Sequence, residues 1–367
     1  MITLGFMTLN LNNEHSYFTE IAQRSLKYDI ICYRFIPTMI NPRTETIEGE
    51  VFDREQERWI PRTFSIPNIL YDRCFYGEDF HSKKCKSIVD WLKAKERVHF
   101  LGFGLPNKIE LYHVLSQSKL SPYVPKTVPV SSPEMVYKLL GKMKRMIMKP
   151  INGSQGNGVY FIEKQGEQVA VKTDKKEQQI TRTFVNETQF VSWVTRILNK
   201  REFLLQPYLP LVNDLDQPYD IRSLLQKDKE GNWRVMGKGI RHGQSGGIIS
   251  NMSAGGEVTD FSSWLKTIHY QKRSFMMEEI NDILQNLPLI LEKHFPPLFE
   301  LGVDIGISRD HSIWILDTNS KPGRKVMLEL HPELADELYE SPLIYANTLK
   351  ERGYVLHEKT LPNRSHR

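Results

Sequence analysis

The chain has 367 residues, of which 40% are hydrophobic and 25% are charged. This composition excludes a disordered, collagen-like or disulfide-stapled chain and predicts two or three folded domains. The 49 Lys and Arg residues outnumber the 44 Asp and Glu residues, and the resulting net charge of +5 suits an anionic ligand without being a nucleic-acid footprint.

Membrane and export signals are missing from the sequence pattern. No apolar run approaches the roughly 18–20 residues that a membrane-spanning helix needs, and the first residues read as a strand rather than a leader. The three cysteines have neither disulfide nor zinc spacing, which indicates a reduced compartment. We therefore expect a cytoplasmic protein with no nucleic-acid or membrane partner, and no pattern indicates its oligomeric state.

The first 105 residues alternate strand and helix patterns, which favours an open sheet with parallel strand pairs. The predicted order is a strand, a helix, a second strand, a polar hairpin and a short strand that ends in Asp72-Arg73. These elements are predicted at residues 2–9, 14–27, 29–35, 41–62 and 68–71. Residues 1–105 are therefore predicted to form an N-terminal α/β domain.

A second unit is predicted at residues 106–200. Asn107 stands three residues before Glu110, the spacing of a capping box, and Ser132-Pro133 marks the start of another helix. Two strands joined by a glycine-rich connection and a further helix are predicted at residues 146–149, 159–162 and 187–199.

A third, strand-rich unit is predicted at residues 201–345, followed by a polar tail at residues 346–367. A helix in this unit is predicted at residues 278–287 and is expected to be interrupted by Pro288. The strands are predicted at residues 203–209, 220–226, 233–241, 302–308 and 312–317.

Lys149 ends a predicted strand and is followed by the glycine-rich stretch of residues 150–158. Glycines let backbone N–H groups approach an anion closely, and a lysine beside them adds a positive charge. The lysine precedes the glycines instead of following them, which excludes a Walker A loop. The glycines lead into a predicted strand instead of a helix, which excludes a Rossmann fingerprint. The stretch predicts a phosphate-binding loop, with an ordinary hairpin connection as the alternative.

Asp317 and Asn319 are two residues apart, so in a strand their side chains share one face, and Asp304 from the preceding strand can lie beside them. Two carboxylates and an amide oxygen form a hard oxygen site that suits magnesium bound to phosphates. The alternative is a polar strand end that leads into a Pro-Gly turn.

Two further patterns could contribute to a nucleotide site. The apolar strand at residues 204–209 is broken by prolines and could offer free backbone groups to an adenine ring, or it could be an ordinary buried strand. Arg222 and Arg241 stand at alternating strand positions with Asn251 downstream, and arginine can hold phosphate or carboxylate in a bidentate manner. Surface ion pairing is the alternative for these arginines.

The order of these motifs over residues 100–335 resembles the ATP-grasp superfamily. The stretches at residues 5–9 and 317–323 resemble more narrowly its YheC/YheD-type endospore coat-associated branch. The resemblance implies an α/β and α+β architecture. In it, a pre-ATP-grasp N-terminal domain precedes two lobes that hold ATP between them.

The resemblance also implies a role for each residue type in the motifs. Arg222 and Arg241, with Asn251, would serve the γ-phosphate and the acceptor carboxylate, and either Asp214 or Asp216 would meet the ribose. Two magnesium ions would be held by Asp304, Asp317 and Asn319. Lys108 and Lys149 would contact the phosphates, and the lid over them would be formed by Ser154, Gln155, Gly156 and Gly158. The adenine ring would be contacted by Gln206, Pro207, Tyr208 and Leu209.

The activity that the resemblance implies is an ATP-dependent carboxylate–amine ligation through an acylphosphate, linked to the endospore coat. A non-catalytic ATP-binding coat scaffold and an ATP-dependent kinase are the alternatives. The carboxylate and amine substrates are not predicted. Asp72-Arg73 is a candidate acceptor contact, with an ion pair as the alternative. Spore coat proteins are possible partners, and the location would be the mother-cell cytosol or the coat.

Overall fold

A computed structural model describes residues 1–153, 158–175, 178–248, 250 and 256–352. The described residues form three sheets, each with helices packed against it. Among them, no helix combines the length and the apolar character needed to cross a bilayer.

The N-terminal sheet is an open sheet with parallel pairs at its centre, as the sequence predicted. Its strands are β1 (Ile2–Met7), β2 (Ile30–Phe35), β3 (Ile40–Asn41), β4 (Thr46–Asp53), β5 (Arg58–Ser65), β6 (Ile69–Asp72) and β7 (His99–Phe100). The strand order is β3-β4-β2-β1-β6-β7, with β5 paired to β4 as a hairpin. The pairs β1–β2, β1–β6 and β6–β7 are parallel, and α1 (His15–Arg24) and α2 (Phe80–Lys93) complete the domain.

The central sheet is antiparallel and carries the glycine-rich connection. Its strands are β8 (Val128–Pro129), β9 (Arg145–Pro150), β10 (Tyr160–Gln165), β11 (Gln168–Lys175), β12 (Gln178–Phe184) and β13 (Phe203–Pro207). Their order is β12-β11-β10-β9-β13-β8. The helices of this part of the chain are α3 (Lys108–Ser116), α4 (Pro133–Met143) and α5 (Glu187–Leu198).

The C-terminal sheet is also antiparallel, in the order β16-β15-β14-β17-β18. Its strands are β14 (Tyr219–Lys227), β15 (Trp233–His242), β16 (Glu257–Asp260), β17 (Glu300–Ile307) and β18 (Ile313–Asn319). The accompanying helices are α6 (Phe261–Leu265), α7 (Tyr270–His294), α8 (Lys325–Leu330) and α9 (Ala335–Glu351).

Both predicted helix caps form. The Asn107 side chain accepts from the backbone N–H groups of Ile109 and Glu110, at 2.9 and 3.1 Å. The Ser132 hydroxyl accepts from the N–H of Met135 at 3.2 Å. These bonds satisfy backbone donors that the first turn of each helix leaves without an intrahelical partner. The cap at Asn107 also fixes the start of α3, which places Lys108 at the first turn.

Three predicted boundaries differ from the structure because tertiary packing overrides local signals. α7 continues through Pro288, which is buried, instead of being interrupted there. α3 was assigned to the central unit, but its Leu111 packs into the core of the C-terminal sheet. The polar tail was expected from residue 346, whereas α9 continues to Glu351 and buries Leu349 in the core of the N-terminal domain. α9 is thus packed against the N-terminal domain.

Candidate functional site

Two lysines from different elements converge on neighbouring residues of β18. Lys108 Nζ lies 2.5 Å from Asp317 Oδ2, and Lys149 Nζ donates to the carbonyl oxygen of Leu316 at 3.1 Å. Burial and the nearby charge of Lys108 lower the pKa of Lys149 to about 8, against the opposing effect of Asp317 and Asp304. The structure thus brings the two predicted phosphate lysines to one place.

A β-bulge in β18 makes this convergence possible. Asp304 pairs with Asp317 and Ile305 pairs with Ile315, so Leu316 is the extra residue between two ladder positions. A bulged residue is released from the regular ladder, which leaves its carbonyl available to a side chain. The ammonium group of Lys149 donates a hydrogen bond to that carbonyl. The two carboxylates that the sequence predicted to be neighbours are therefore a cross-strand pair beside the bulge.

Asp304 is held by both predicted arginines. Its carboxylate accepts from Arg222 Nη1 at 2.6 Å and lies 2.9 Å from Arg241 Nη2. Arg241 also makes a bidentate contact with Asp220, at 2.7 and 2.6 Å, and the Ser250 hydroxyl donates to Asp220 at 2.5 Å. Burial would raise the pKa of Asp304, but Arg241 and Arg222 outweigh it and lower the pKa to about 2. These are buried ion pairs, not the surface pairs of the alternative interpretation.

A pocket adjoins the two lysines between the central and C-terminal sheets. Its polar lining residues are Lys108, Tyr112, Thr127, Lys149, Gln206, Asp317 and Thr318. Aliphatic side chains from α3, β13 and β18 complete the wall: Leu111, Leu115, Leu204, Ile315 and Leu316. Apolar walls with a few convergent polar groups are typical of small-molecule sites. Tyr112 and Thr127 were missed by sequence reasoning because neither lies in a motif.

The predicted adenine hinge is the end of β13 and the residues after it. Gln206 Nε2 donates to Thr127 Oγ1 at 2.7 Å, and Pro207 is paired with Met146 of β9. The N–H of Tyr208 points to the Arg145 carbonyl at 3.4 Å, and the Leu209 carbonyl accepts from the N–H of Leu211 at 2.8 Å. Gln206 thus lines the pocket, while part of the hinge backbone is engaged with the protein itself.

The remaining predicted nucleotide contacts are only partly described. Asp214 and Asp216 both lie in an exposed turn, and Asp216 is 3.7 Å from Arg309 in an exposed ion pair. Gly158 has a φ of +78°, the left-handed region that favours glycine, and follows the loop. The other predicted loop and catalytic residues, Ser154, Gln155, Gly156 and Asn251, lie outside the described residues.

The residues predicted to hold magnesium fit that ion by their donor chemistry. Asp304 and Asp317 are opposite each other, and Asn319 lies two residues further along β18, opposite Gly302. Carboxylate and amide oxygens are the ligands that Mg²⁺ prefers. Among the described residues, no group of three His, Cys, Asp or Glu side chains could hold a metal. A metal at this place therefore depends on the amide oxygen of Asn319 as the third donor.

A buried charge network connects the N-terminal domain to the C-terminal sheet. Glu300 accepts from Tyr71 Oη at 2.6 Å, from Arg73 Nη1 at 2.8 Å and from Arg324 Nη2 at 2.5 Å. Arg73 also pairs with Glu14 at 2.6 Å. The sequence makes Arg73 a candidate acceptor contact, with an ion pair as the alternative. Its guanidinium forms ion pairs with Glu14 and Glu300, which agrees with the ion-pair alternative. Sequence reasoning had no signal for Glu300.

The chain has an ATP-grasp fold. It is similar to D-cycloserine synthetase DcsG, with a TM-score of 0.55 and 12% identity over 95% of this chain and 99% of that one. It is also similar to VanG D-Ala:D-Ser ligase from Enterococcus faecalis, with a TM-score of 0.55 and 10% identity over 95% and 98% of the two chains.

Sequence comparison defines the branch. Residues 97–349 match the family described as YheC/D like ATP-grasp, so the chain belongs to that family. It is 39% identical over 344 residues to the endospore coat-associated protein YheC of Bacillus subtilis strain 168, with 94% of each chain covered. The resemblance that the sequence motifs indicated is thereby confirmed.

Proposed function

We propose that this protein is an ATP-dependent ligase that joins a carboxylate to an amine and releases ADP and phosphate. The observation that supports the proposal most directly is the convergence of Lys108 and Lys149 on β18, beside the cluster of Asp304, Arg222 and Arg241. The similarity of the fold to proteins named as ligases and synthetases supports the same reaction class.

In the proposed reaction, a carboxylate oxygen of the first substrate attacks the γ-phosphorus of ATP, and the bond to the bridging oxygen of ADP breaks. An amine then attacks the acyl carbon, phosphate leaves, and the amine loses a proton. Phosphoryl transfer of this kind depends on positioning and charge neutralisation rather than on a protein nucleophile. Lys108 and Lys149 would hold the phosphates, while Arg222 and Arg241 would stabilise charge on the transferred group and the acceptor carboxylate.

Asp304, Asp317 and Asn319 would hold Mg²⁺, of which two ions are proposed. When bound, magnesium neutralises charge on the phosphate oxygens and orients them. The role of the chain's own side chains is separate from that of the metal. Lys108 keeps Asp317 in place through its 2.5 Å contact, and the two arginines keep Asp304 ionised.

Thermal unfolding with magnesium and ATP tests the nucleotide site. A ligand that binds only the native state raises stability by about 2.7 kcal/mol at one hundred times its dissociation constant. We expect the unfolding temperature to rise by several degrees in the unmodified protein and not in Asp317→Ala. The matched control is Asp90→Ala, an exposed carboxylate on α2, which should respond as the unmodified protein does. No rise in the unmodified protein at millimolar ATP would contradict the proposal.

Product analysis separates the reaction classes. Release of ADP and phosphate with formation of an amide supports the ligase, whereas a stable phosphorylated product identifies a kinase. A nucleotide-stabilised protein that turns over no carboxylate and amine pair would agree with a coat scaffold, the alternative favoured by the relative named as coat-associated. Under the proposal, the reaction takes place in the mother-cell cytosol or at the coat.

A further inference from the structure

The loop that follows β18 fixes the side chain of Asn319 through the backbone of Lys321. The N–H of Lys321 donates to Asn319 Oδ1 at 2.9 Å, and Asn319 Nδ2 donates to the Lys321 carbonyl at 3.3 Å. An amide oxygen has two acceptor positions, and among the described residues Lys321 occupies one of those on Oδ1. The orientation of Asn319 is thus set by where the backbone of Lys321 lies.

The side chain of Lys321 leaves the C-terminal lobe and enters the N-terminal domain. Its Nζ lies 2.9 Å from Asp72 Oδ1 and donates to the Cys74 carbonyl at 2.7 Å, and it stands 4.6 Å from the ring centre of Tyr76. The Lys321 side chain is 15% exposed and that of Asp72 is 4% exposed, so solvent screens this ion pair little. Burial alone would raise the pKa of Asp72, but Lys321 and Lys93 hold it below its ordinary value.

The residues on both sides of Lys321 are tied to the same part of the molecule. The N–H of Leu105, in the segment that follows β7, donates to Ser320 Oγ at 3.0 Å. Arg73 Nη2 donates to the Pro322 carbonyl at 3.3 Å. Three successive loop residues therefore depend on residues outside the C-terminal sheet for their position.

We propose that Lys321 is a positioning residue through which the N-terminal domain sets the magnesium affinity of the nucleotide site. The connection runs from Asp72 to the Lys321 ammonium, and from the Lys321 backbone to the side chain of Asn319. This inference rests on the proposed function, because it takes Asn319 as a metal-binding residue. Groups that orient a metal ligand from outside the coordination sphere commonly change metal affinity by roughly 10–100-fold when they are removed.

The experiment is a magnesium titration of thermal unfolding at fixed ATP. Lys321→Met keeps an unbranched side chain and removes its ammonium group, and Asp72→Asn removes the charge of the partner while keeping its shape. The matched control is Lys325→Met, the same substitution at an exposed position four residues further along. We expect both test variants to raise the magnesium concentration at half-maximal stabilisation by about tenfold or more. At saturating magnesium, their ATP midpoints should return to that of the unmodified protein.

The outcomes distinguish the two proposals. If the unmodified protein shows no magnesium-dependent stabilisation by ATP, the proposed function fails. If it responds, and Asp317→Ala does not, but either test variant that folds keeps the unmodified magnesium midpoint, the positioning role of Lys321 is overturned. A lower unfolding temperature with an unchanged magnesium midpoint would identify a merely structural ion pair, and this outcome also overturns the inference. Asp72→Asn leaves Lys321 in place, so it provides the test if Lys321→Met does not fold.

Discussion

The buried guanidinium groups of Arg73 and Arg324 share the carboxylate of Glu300, and Glu300→Gln should therefore destabilise the protein strongly. Arg324 Nη2 lies 2.5 Å and Arg73 Nη1 lies 2.8 Å from its oxygens, and the Glu300 side chain is 2% exposed. Glutamine keeps the shape but removes the charge. Arg73 retains Glu14 as a partner at 2.6 Å, so the loss falls mainly on Arg324. Removing one partner of a buried ion pair costs about 3–5 kcal/mol, and one such loss is expected.

Chemical denaturation followed by tryptophan fluorescence measures this effect as a lower midpoint. The control is Glu167→Gln, an exposed residue in the turn between β10 and β11, which should change the free energy of unfolding by less than about 0.5 kcal/mol. A loss below about 1 kcal/mol for Glu300→Gln would refute the argument that the Glu300 carboxylate balances the two arginines. A midpoint lowered equally by both substitutions would refute it as well.

Further substitutions test local packing, a helix cap and the protonation of Lys149. Gly302→Ala would place a Cβ atom 2.7 Å from Arg222 Nη2, so it should lower the free energy of unfolding by about 1–3 kcal/mol in chemical denaturation. Gly141→Ala has open space around it in α4 and should raise the free energy of unfolding by about 0.5–1 kcal/mol. Asn107→Ala should cost about 1 kcal/mol in the same assay because it removes the cap of α3. Burial and Lys108 lower the pKa of Lys149 to about 8, so a fraction of its side chains is neutral near that pH. A bound phosphate should raise this pKa and protonate the neutral fraction. Calorimetry in two buffers near that pH should then detect uptake of roughly half a proton, absent in Lys149→Met and close to zero at clearly lower pH.

The sequence allowed the elements with strong local signals to be predicted. The caps at Asn107 and Ser132 and the parallel core of the N-terminal sheet follow from residue types and periodicity alone. The strands β11 and β12 were not predicted, because Gln and charged residues interrupt their apolar residues, and β12 is largely exposed along its length. Propensity carries little information where a strand buries so few of its side chains.

Long-range packing accounts for most of the remaining differences. Pro288 would end an isolated helix, but it lies among buried leucines of α7, whose burial outweighs the lost backbone hydrogen bond. α9 packs against the N-terminal domain although the chain between them is more than two hundred residues long, and no local pattern can reveal such a contact. In the candidate site, too, some features follow from local sequence and others from long-range packing. The lysines and carboxylates stand in recognisable motifs, but the bulge at Leu316 and the anchoring of Lys321 by Asp72 depend on pairing between distant segments.

The balance of charge in the cleft bears on the choice between a ligand site and a structural ion-pair network. Among the residues that the structure describes, the cations Lys108, Lys149, Arg222 and Arg241 face the carboxylates of Asp220, Asp304 and Asp317. A network with only a structural role gains nothing from a surplus cation, because burying an unbalanced charge is costly. Lys149 bears that cost, since burial and Lys108 lower its pKa while its ammonium contacts a carbonyl rather than a carboxylate. An anion bound beside Lys149 would relieve the imbalance, and a magnesium ion added at Asp304 and Asp317 would increase the need for one. This charge balance supports the proposal that the cleft receives a metal-bound polyphosphate.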